Sequence, residues 1–179
     1  MQVSENLEIE RKYIIEIPPA EIMMAERCYT SSEILQIYLI APSGVTRRIR
    51  SRKYESCTRY FETSKIRIDR LASHEYEREI EREEFEALAK ERAEDSRPIL
   101  KTRHTFDYLG RTFEIDVYPE WEHSCIMEIE LPSRDTEVTL PDFIRVVVEV
   151  TGDKRYSNAA MARAFPAEIN INEKGEPIF

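Results

Sequence analysis

The feature that most constrains this chain is the recurrence of charged residues at every second position, with one sign of charge prevailing in each segment. Near the start, Leu7–Ile15 carries Glu8, Glu10 and Lys12 at alternate positions. Side chains of a β-strand point alternately to opposite faces. In a strand these three charges share one face, and the apolar residues share the other face with Arg11. The segment therefore predicts a strand whose apolar face is buried and whose charged face meets water or an ion-binding cavity.

Six further segments repeat this alternation, each with one sign of charge. The acidic sets are Glu77/Glu79, Glu114/Asp116 and Glu128/Glu130, and the basic sets are Arg48/Arg50/Arg52, Lys65/Arg67 and Lys101/Arg103. Like charges at this spacing repel unless an opposite charge lies between them. Carboxylate clusters suit hard ions such as Mg²⁺ or Mn²⁺, and arginine suits phosphate oxygens. The pattern favours a metal-bound polyphosphate ligand. The alternative is a β-sandwich interaction domain whose charged faces are simply exposed.

Hydrophobic periodicity predicts about eight strands and a few helices. The expected strands are Leu7–Ile15, Glu33–Ala41, Thr46–Tyr54, Arg59–Arg67, His74–Glu81, Ile99–Tyr108, Arg111–Tyr118 and Cys125–Leu131, and the expected helices are Ala20–Arg27, Arg82–Glu94 and Lys154–Phe165. Turn signals separate the strands at Pro42–Gly44 and Leu109–Gly110. The loop Asp69–Ser73 is expected before the fifth strand. Leu140–Val150 fits both strand and helix, and the C-terminal third is expected to be mostly helical.

These elements predict an α+β fold that is mainly β. Eight strands with short connections close naturally into an antiparallel barrel, which removes exposed edges. No linker or repeat interrupts the chain, so residues 1–179 are expected to form a single domain.

Composition narrows the classes of function. The net charge of −9 argues against a general nucleic-acid binder or a binder of anionic membranes. The chain has only 4 glycines and no glycine-rich phosphate loop. The three cysteines form no CxxC pair, which favours reduced thiols and a cytoplasmic location. No apolar run reaches the length of a membrane span. The oligomeric state stays open, and a homodimer is allowed.

In order along the chain, these segments resemble the CYTH superfamily, the triphosphate tunnel metalloenzymes. The matching segments are Glu8-Ile9-Glu10-Arg11-Lys12, like the family's ExExK signature, then Gln36–Leu39, Arg48–Arg50, Phe61–Lys65, Tyr76–Ile80, Leu100–Arg103, Phe113–Tyr118, Met127–Leu131 and Glu149–Asn158. Two positions depart from the family pattern. Ile37 stands where a glycine is usual, and His74 where an arginine often precedes the acidic strand.

The resemblance implies an eight-stranded antiparallel β-barrel tunnel with flanking and C-terminal helices, holding a triphosphate and Mg²⁺ or Mn²⁺. The implied metal ligands are Glu8, Glu10, Glu77, Glu128 and Glu130; the implied substrate-binding residues are Lys12, Arg48, Arg50, Lys65, Lys101, Arg103 and Arg155; the implied catalytic residues are Lys12, Glu10 and Glu79. For Arg155, the sequence leaves open a place at the tunnel end or in the packing of the terminal helix.

The function implied is metal-dependent hydrolysis of a triphosphate, inorganic tripolyphosphate first, to diphosphate and phosphate. Three alternatives stay open on the same fold: a class IV-type adenylyl cyclase, a thiamine triphosphatase and a non-catalytic polyphosphate-binding module. The physiological substrate, the number of metal ions and the general base are not fixed by the sequence.

Overall fold

The computed structural model describes the backbone of residues 4–69, 72–171 and 177–178, and the side chains of residues 9–69 and 72–169. The strands are β1 (Ser4–Glu16), β2 (Arg27–Tyr38), β3 (Val45–Lys53), β4 (Thr58–Arg67), β5 (Ala72–Ile80), β6 (Ile99–Tyr108), β7 (Arg111–Val117), β8 (Ser124–Glu130), β9 (Val146–Glu149), β10 (Asn170–Ile171) and β11 (Pro177–Ile178). The α-helices are α1 (Ala20–Met24), α2 (Arg82–Leu88) and α3 (Asn158–Met161). None of the helices in this described part is long and apolar enough to cross a membrane.

The chain forms two compact units. The first comprises residues 1–8, 32–100 and 153–166, and the second comprises residues 9–31, 101–152 and 167–179. The expectation of a single domain over residues 1–179 stays a prediction.

The first unit is built on β3, β4 and β5 with the end of β2. Antiparallel pairing places Arg48 opposite Thr63 and Thr63 opposite Glu77. One face of these strands is apolar, and α2 packs on it. The core there comprises Ile37, Leu39, Ile49, Ile80 and Phe85. That face also carries the ion-paired Arg47, Glu62 and Arg78, and the opposite face carries Arg48, Arg50 and Glu77.

The second unit contains β7, β8, β9 and most of β1 and β6. Its core includes Phe106 and Phe113, whose rings stack with centroids 5.6 Å apart, and Ile15, Ile115 and Met127, which are fully buried. The register of β6 on β7 is fixed by the turn at Leu109–Gly110, where both residues have positive φ. A two-residue hairpin turn of this type requires that conformation.

The strand order along the main sheet is β5-β4-β3-β2-β6-β7-β8-β1-β9, and β5 also pairs with β1. The hydrogen-bonded order therefore closes on itself. Every pairing with a described register is antiparallel. This connectivity leaves few unpaired edges, which is the physical reason a chain of hairpins closes in this way.

The expectation of a mostly helical C-terminal third is wrong. Within Leu140–Val150, the residues Val146–Glu149 form β9, which pairs with β1. Three consecutive valines favour a strand because β-branching restricts the side-chain rotamers. The helix expected over Lys154–Phe165 is a 3₁₀ turn at Lys154–Tyr156 followed by α3. Ser157 interrupts it because its extended backbone and its side chain cap α3.

Other elements have different bounds from those predicted. α1 ends at Met24 instead of Arg27, and Cys28 adopts a positive φ shortly afterwards. β2 begins at Arg27, six residues before the predicted start, and ends at Tyr38. β5 begins at Ala72, inside the predicted loop. The helix expected over Arg82–Glu94 is α2 followed by a 3₁₀ turn at Ala89–Glu91.

Candidate active site

The second unit gathers acidic side chains from three strands on one face. We call this set the carboxylate cluster, and its members are Glu10 on β1, Glu114 and Asp116 on β7, and Glu128 and Glu130 on β8. The register places Glu10 directly opposite Glu130, and Glu114 directly opposite Glu128. Directly opposed like charges destabilise a sheet unless a cation lies beside them.

Two basic side chains are inserted among these carboxylates. Lys12 is opposite Glu128, and its Nζ lies 2.7 Å from Glu128 Oε1 and 3.7 Å from Glu10 Oε1. Arg103 on β6 forms an ion pair with Glu114, and its Nη2 donates to Glu128 at 3.0 Å. Both cations are buried. The cluster is therefore a network in which Glu128 is shared by Lys12 and Arg103.

Asp116 is the deepest member of the carboxylate cluster and is fully buried. Arg103 Nε donates to Asp116 Oδ1 at 2.6 Å, and Arg103 Nη2 donates to Oδ2 at 2.7 Å. Lys101 also forms an ion pair with Asp116, and its Nζ lies 5.8 Å from the centroid of the Tyr118 ring. Asp116 thus positions two basic side chains through a bidentate and a single contact.

Two opposing effects, burial and ion pairing, determine the pKa values of the carboxylates in this network. Burial raises the pKa of Glu128, but Lys12 and Arg103 outweigh it and hold that pKa well below its usual range. Burial likewise raises the pKa of Asp116, but Arg103 and Lys101 outweigh it and lower that pKa below its usual range. Burial, together with the neighbouring Arg103, lowers the pKa of Lys101 to about 8. At neutral pH both carboxylates are therefore ionised.

The donor chemistry of the cluster fits a hard divalent cation. All of its donors are carboxylate oxygens, the ligand type preferred by Mg²⁺ and Mn²⁺. Among the described side chains no group of three acidic, histidine or cysteine residues already stands in a metal-binding arrangement. The carboxylate oxygens of Glu128 form ion pairs with Lys12 and Arg103 instead. The opposed pairs Glu10/Glu130 and Glu114/Glu128 would lose their repulsion when a divalent cation binds between their oxygens.

The first unit carries a second charged surface on β3 and β4. We call it the basic face, and its members are Arg48, Arg50, Arg52, Arg59, Lys65 and Arg67. They share one face because the residues alternate along both strands and the register aligns them, with Arg52 opposite Arg59. Arg50 is buried and the others are partly or largely exposed.

Three glutamates of β5 border the basic face. Glu75 lies 3.5 Å from Arg48 Nη2 and 3.7 Å from Lys65 Nζ. Glu77 forms an ion pair with Arg50 and accepts a hydrogen bond from Thr63 Oγ1 at 2.9 Å. Burial raises the pKa of Glu77, but Arg50 and Thr63 outweigh it, and the net direction is downward.

Glu79 and Arg59 form a separate pair at the exposed end of this surface. Arg59 Nε and Nη2 donate to the two carboxylate oxygens of Glu79 at 2.8 and 2.7 Å. Their side chains are 49% and 51% exposed, which distinguishes Glu79 from the more enclosed Glu75 and Glu77.

The structure brings most of the implied residues into these two groups. In the second unit the carboxylate cluster includes Glu10, Glu128 and Glu130 and is joined by Lys12, Lys101 and Arg103; in the first unit Arg48, Arg50, Lys65, Glu77 and Glu79 share one face. The backbone of Glu8 lies in β1, but its side chain is outside the described residues. Arg155 is exposed and pairs with Asp153 at 2.7 Å, without a described contact to the basic face.

The sequence reasoning did not assign a site role to Asp116, Glu75 or Thr63. A signal for Asp116 was available, because a two-residue turn at Leu109–Gly110 forces Arg103 opposite Asp116. Glu75 has the same parity as Glu77 on β5 and lies opposite Lys65. Thr63 carries no charge, so a search for charged faces passes over it.

Comparisons with known proteins identify similar chains and structures. An inorganic triphosphatase of Nitrosomonas europaea is 32% identical over 162 residues, which cover 89% of this chain and 99% of that protein. The crystal structure of an inorganic triphosphatase matches with a TM-score of 0.58 and 30% identity, over 89% of this chain and 97% of that one. No family model matches the chain.

A more distant structure supports the fold alone. A conserved hypothetical protein from Pyrococcus furiosus matches with a TM-score of 0.55 and 22% identity, over 72% of this chain and 80% of that one. The antiparallel barrel of eight strands with a few helices is therefore confirmed, with β9 as an added ninth strand. The chain belongs to the inorganic triphosphatase family, within the CYTH superfamily of triphosphate tunnel metalloenzymes.

Proposed function

We propose that this protein hydrolyses inorganic tripolyphosphate to diphosphate and phosphate with Mg²⁺ or Mn²⁺. Membership of the family implies a divalent metal in general and a small-molecule triphosphate substrate. The observation that carries the proposal is the register of β1, β7 and β8, which opposes Glu10 to Glu130 and Glu114 to Glu128. Such pairs of opposed carboxylates destabilise the sheet when no metal is bound and become favourable around a bound cation.

The metal would be held by glutamates of the carboxylate cluster. Our candidates are Glu10, Glu128 and Glu130, with Glu8 on the same strand and Glu77 in the first unit as further candidates. A divalent ion bound there supplies charge neutralisation on the phosphate oxygens and activation of a water. Asp116 is less suited to this role because Lys101 and Arg103 occupy both of its oxygens.

The basic residues would bind and orient the phosphate chain. In the second unit these are Lys12, Lys101 and Arg103, which are buried and fixed by ion pairs. In the first unit they are Arg48, Arg50 and Lys65, and Arg155 stays a prediction from the family resemblance. Preorganised cations stabilise charge that develops on the transferred phosphoryl group, because they need no reorientation during the reaction.

A glutamate is the proposed acceptor of the proton from the attacking water. We favour Glu10, whose side chain is 27% exposed and whose Oε1 lies 3.7 Å from Lys12 Nζ. The carboxylate of Glu10 is partly accessible, so a water can reach it and pass on a proton. Glu79 is the weaker candidate, since both of its oxygens already accept hydrogen bonds from Arg59.

A side-by-side assay of three substrates tests the proposal. Phosphate release is measured from tripolyphosphate, ATP and thiamine triphosphate, each with Mg²⁺, with Mn²⁺ and with EDTA. We expect tripolyphosphate to react fastest and EDTA to abolish the reaction. Hydrolysis that survives chelation would rule out the metal-dependent scheme. Faster turnover of ATP or thiamine triphosphate would favour the cyclase or thiamine triphosphatase alternatives, and binding without phosphate release would favour the non-catalytic module.

We also propose a cytoplasmic location, supported by three cysteines that are all free thiols. The homodimer that the sequence allows, and the expectation that nucleic acid and membranes are not partners, stay predictions. Light scattering of the purified protein and a salt-dependent nucleic-acid binding assay would test them.

A further inference from the structure

The basic face extends beyond the two arginines that the family resemblance assigns to phosphate. Arg52 follows Arg48 and Arg50 on the same face of β3, and it lies opposite Arg59 on β4. Side chains at alternate positions of a strand are about 6.6 Å apart, so Arg52 lies about 13 Å from Arg48 along the strand. The basic face therefore extends about 6.6 Å along β3 beyond Arg50, the last arginine that the family resemblance assigns to phosphate binding.

Arg52 differs from its neighbours in its partners. Arg48 pairs with Glu75, Arg50 pairs with Glu77, and Arg59 pairs with Glu79. Arg52 makes no ion pair within the described part of the chain, and this sets it apart, since a buried Nε with no hydrogen-bond acceptor there is common to Arg48, Arg50 and Arg52.

The side chain of Arg52 is nevertheless held in place. Its guanidinium carbon lies 5.4 Å from the centroid of the Tyr54 ring, a distance typical of a cation–π contact. Facing Arg59 across the strands, it also experiences like-charge repulsion, which Glu79 offsets for Arg59 alone. A buried donor without an acceptor costs free energy until a ligand supplies one. An anion bound at Arg52 would remove both penalties.

The spacing identifies which anion would reach this position. Phosphoryl groups in a linear polyphosphate share bridging oxygens, so consecutive phosphorus atoms are closer together than alternate side chains of a strand, which are about 6.6 Å apart. Three phosphoryl groups are enough to span Arg48 and Arg50. One further phosphoryl group advances a chain seated there by less than the step of about 6.6 Å from Arg50 to Arg52, and the long side chain of Arg52 covers the remaining distance.

We propose that Arg52 is an additional substrate-binding residue, which contacts a fourth phosphoryl group and makes the protein bind tetrapolyphosphate more tightly than tripolyphosphate. The inference rests on the proposed function in one respect: the phosphate chain must be seated at Arg48 and Arg50. Arg52 discriminates by chain length because only the longer anion supplies an acceptor to its guanidinium.

Calorimetric titration of the full chain with tripolyphosphate and with tetrapolyphosphate tests this inference. We expect tetrapolyphosphate to bind about tenfold more tightly, the effect of one hydrogen bond to a charged group. Arg52→Gln should remove this preference, and Arg52→Lys should retain part of it. Lys53→Gln is the matched control, because Lys53 is adjacent, lies on the other face and pairs with the exposed Glu33.

Two outcomes would overturn the inference: equal affinities for the two anions in the unmodified protein, or a preference that persists in Arg52→Gln. Failure of the proposed function is distinguishable from both, since it appears as an absence of phosphate release by the unmodified protein. The affinities themselves are measured without reference to turnover.

Discussion

At the scale of single residues, the buried charged side chains form ion pairs with side chains of opposite charge. Asp116 illustrates this, because its carboxylate is fully buried and accepts hydrogen bonds from Lys101 and Arg103. Transfer of such a charge from water is costly unless its partners are present. The residues that bind ligands in the proposal are thus also residues on which folding depends.

We predict that Asp116→Asn lowers the free energy of unfolding by about 3 kcal/mol, the usual loss when one member of a buried ion pair is removed. Arg103 would retain Glu114 and Glu128, but Lys101 would lose its carboxylate. Urea unfolding measures the change.

Asp95→Asn is the control for this prediction, since Asp95 forms an exposed pair with Arg163 at 2.7 Å. Its loss should change stability by less than about 1 kcal/mol. Equal effects of the two substitutions would contradict the role given to burial.

A site residue can be recognised from the sequence when the residues that it lies beside are close to it along the chain. Arg48, Arg50 and the glutamates of β8 are recognisable because parity within one strand places them together. The position of Asp116 opposite Arg103 follows from counting residues outward from the two-residue hairpin turn, and the sequence contains the signal for that turn. The pairing of Glu10 with Glu130 joins residues 120 positions apart, and no local pattern in the sequence fixes that register.

At the scale of elements, hairpins were predictable and the C-terminal third was not. The strands β3, β4, β6 and β7 match the sequence expectation to within about one residue because alternation and turn signals are local. β9 is four residues long and pairs with β1, more than 130 positions earlier. Its identity as a strand is therefore determined by a distant partner.

Glu168, in the segment after α3, contacts the backbone at the start of β8. The carboxylate of Glu168 accepts hydrogen bonds from the backbone N–H groups of Glu122, His123 and Ser124, at 3.0, 2.7 and 2.6 Å. Partial burial raises the pKa of Glu168, but these three donors outweigh it and lower that pKa below its usual range. The ionised form is therefore the one that stabilises the fold.

We predict that Glu168→Gln lowers the free energy of unfolding by about 1 kcal/mol at neutral pH, a value reduced by solvent exposure. Because the folded pKa is depressed, the contribution is complete above the unfolded pKa of about 4.3 and is lost as the pH falls below it. Urea unfolding of both proteins across that range should show the difference shrinking toward acid.

A difference between the two proteins that stays constant or grows toward acid would contradict the assignment of Glu168. Glu137→Gln removes an exposed glutamate of the same unit and should leave stability unchanged at every pH.

At the scale of the whole molecule, one closed strand order contains both the carboxylate cluster and the basic face. β1 and β2 each contribute residues to both units, and the order of pairing returns from β5 to β1. Alternation predicts which residues share a face of each strand. Which strands outside the hairpins are neighbours was predictable only from the family resemblance, because those pairings join distant segments.

The central claim is that carboxylates from β1 and β8 together bind the divalent metal, and direct Mn²⁺ binding tests it. Electron paramagnetic resonance of free Mn²⁺ is measured in titrations of the unmodified protein, Glu10→Gln, Glu130→Gln and the exposed control Glu137→Gln. We predict that the unmodified and control proteins bind Mn²⁺ equally and that Glu10→Gln and Glu130→Gln each weaken binding at least about tenfold, as loss of an anionic hard ligand requires. Undiminished Mn²⁺ binding by both Glu10→Gln and Glu130→Gln would contradict the claim.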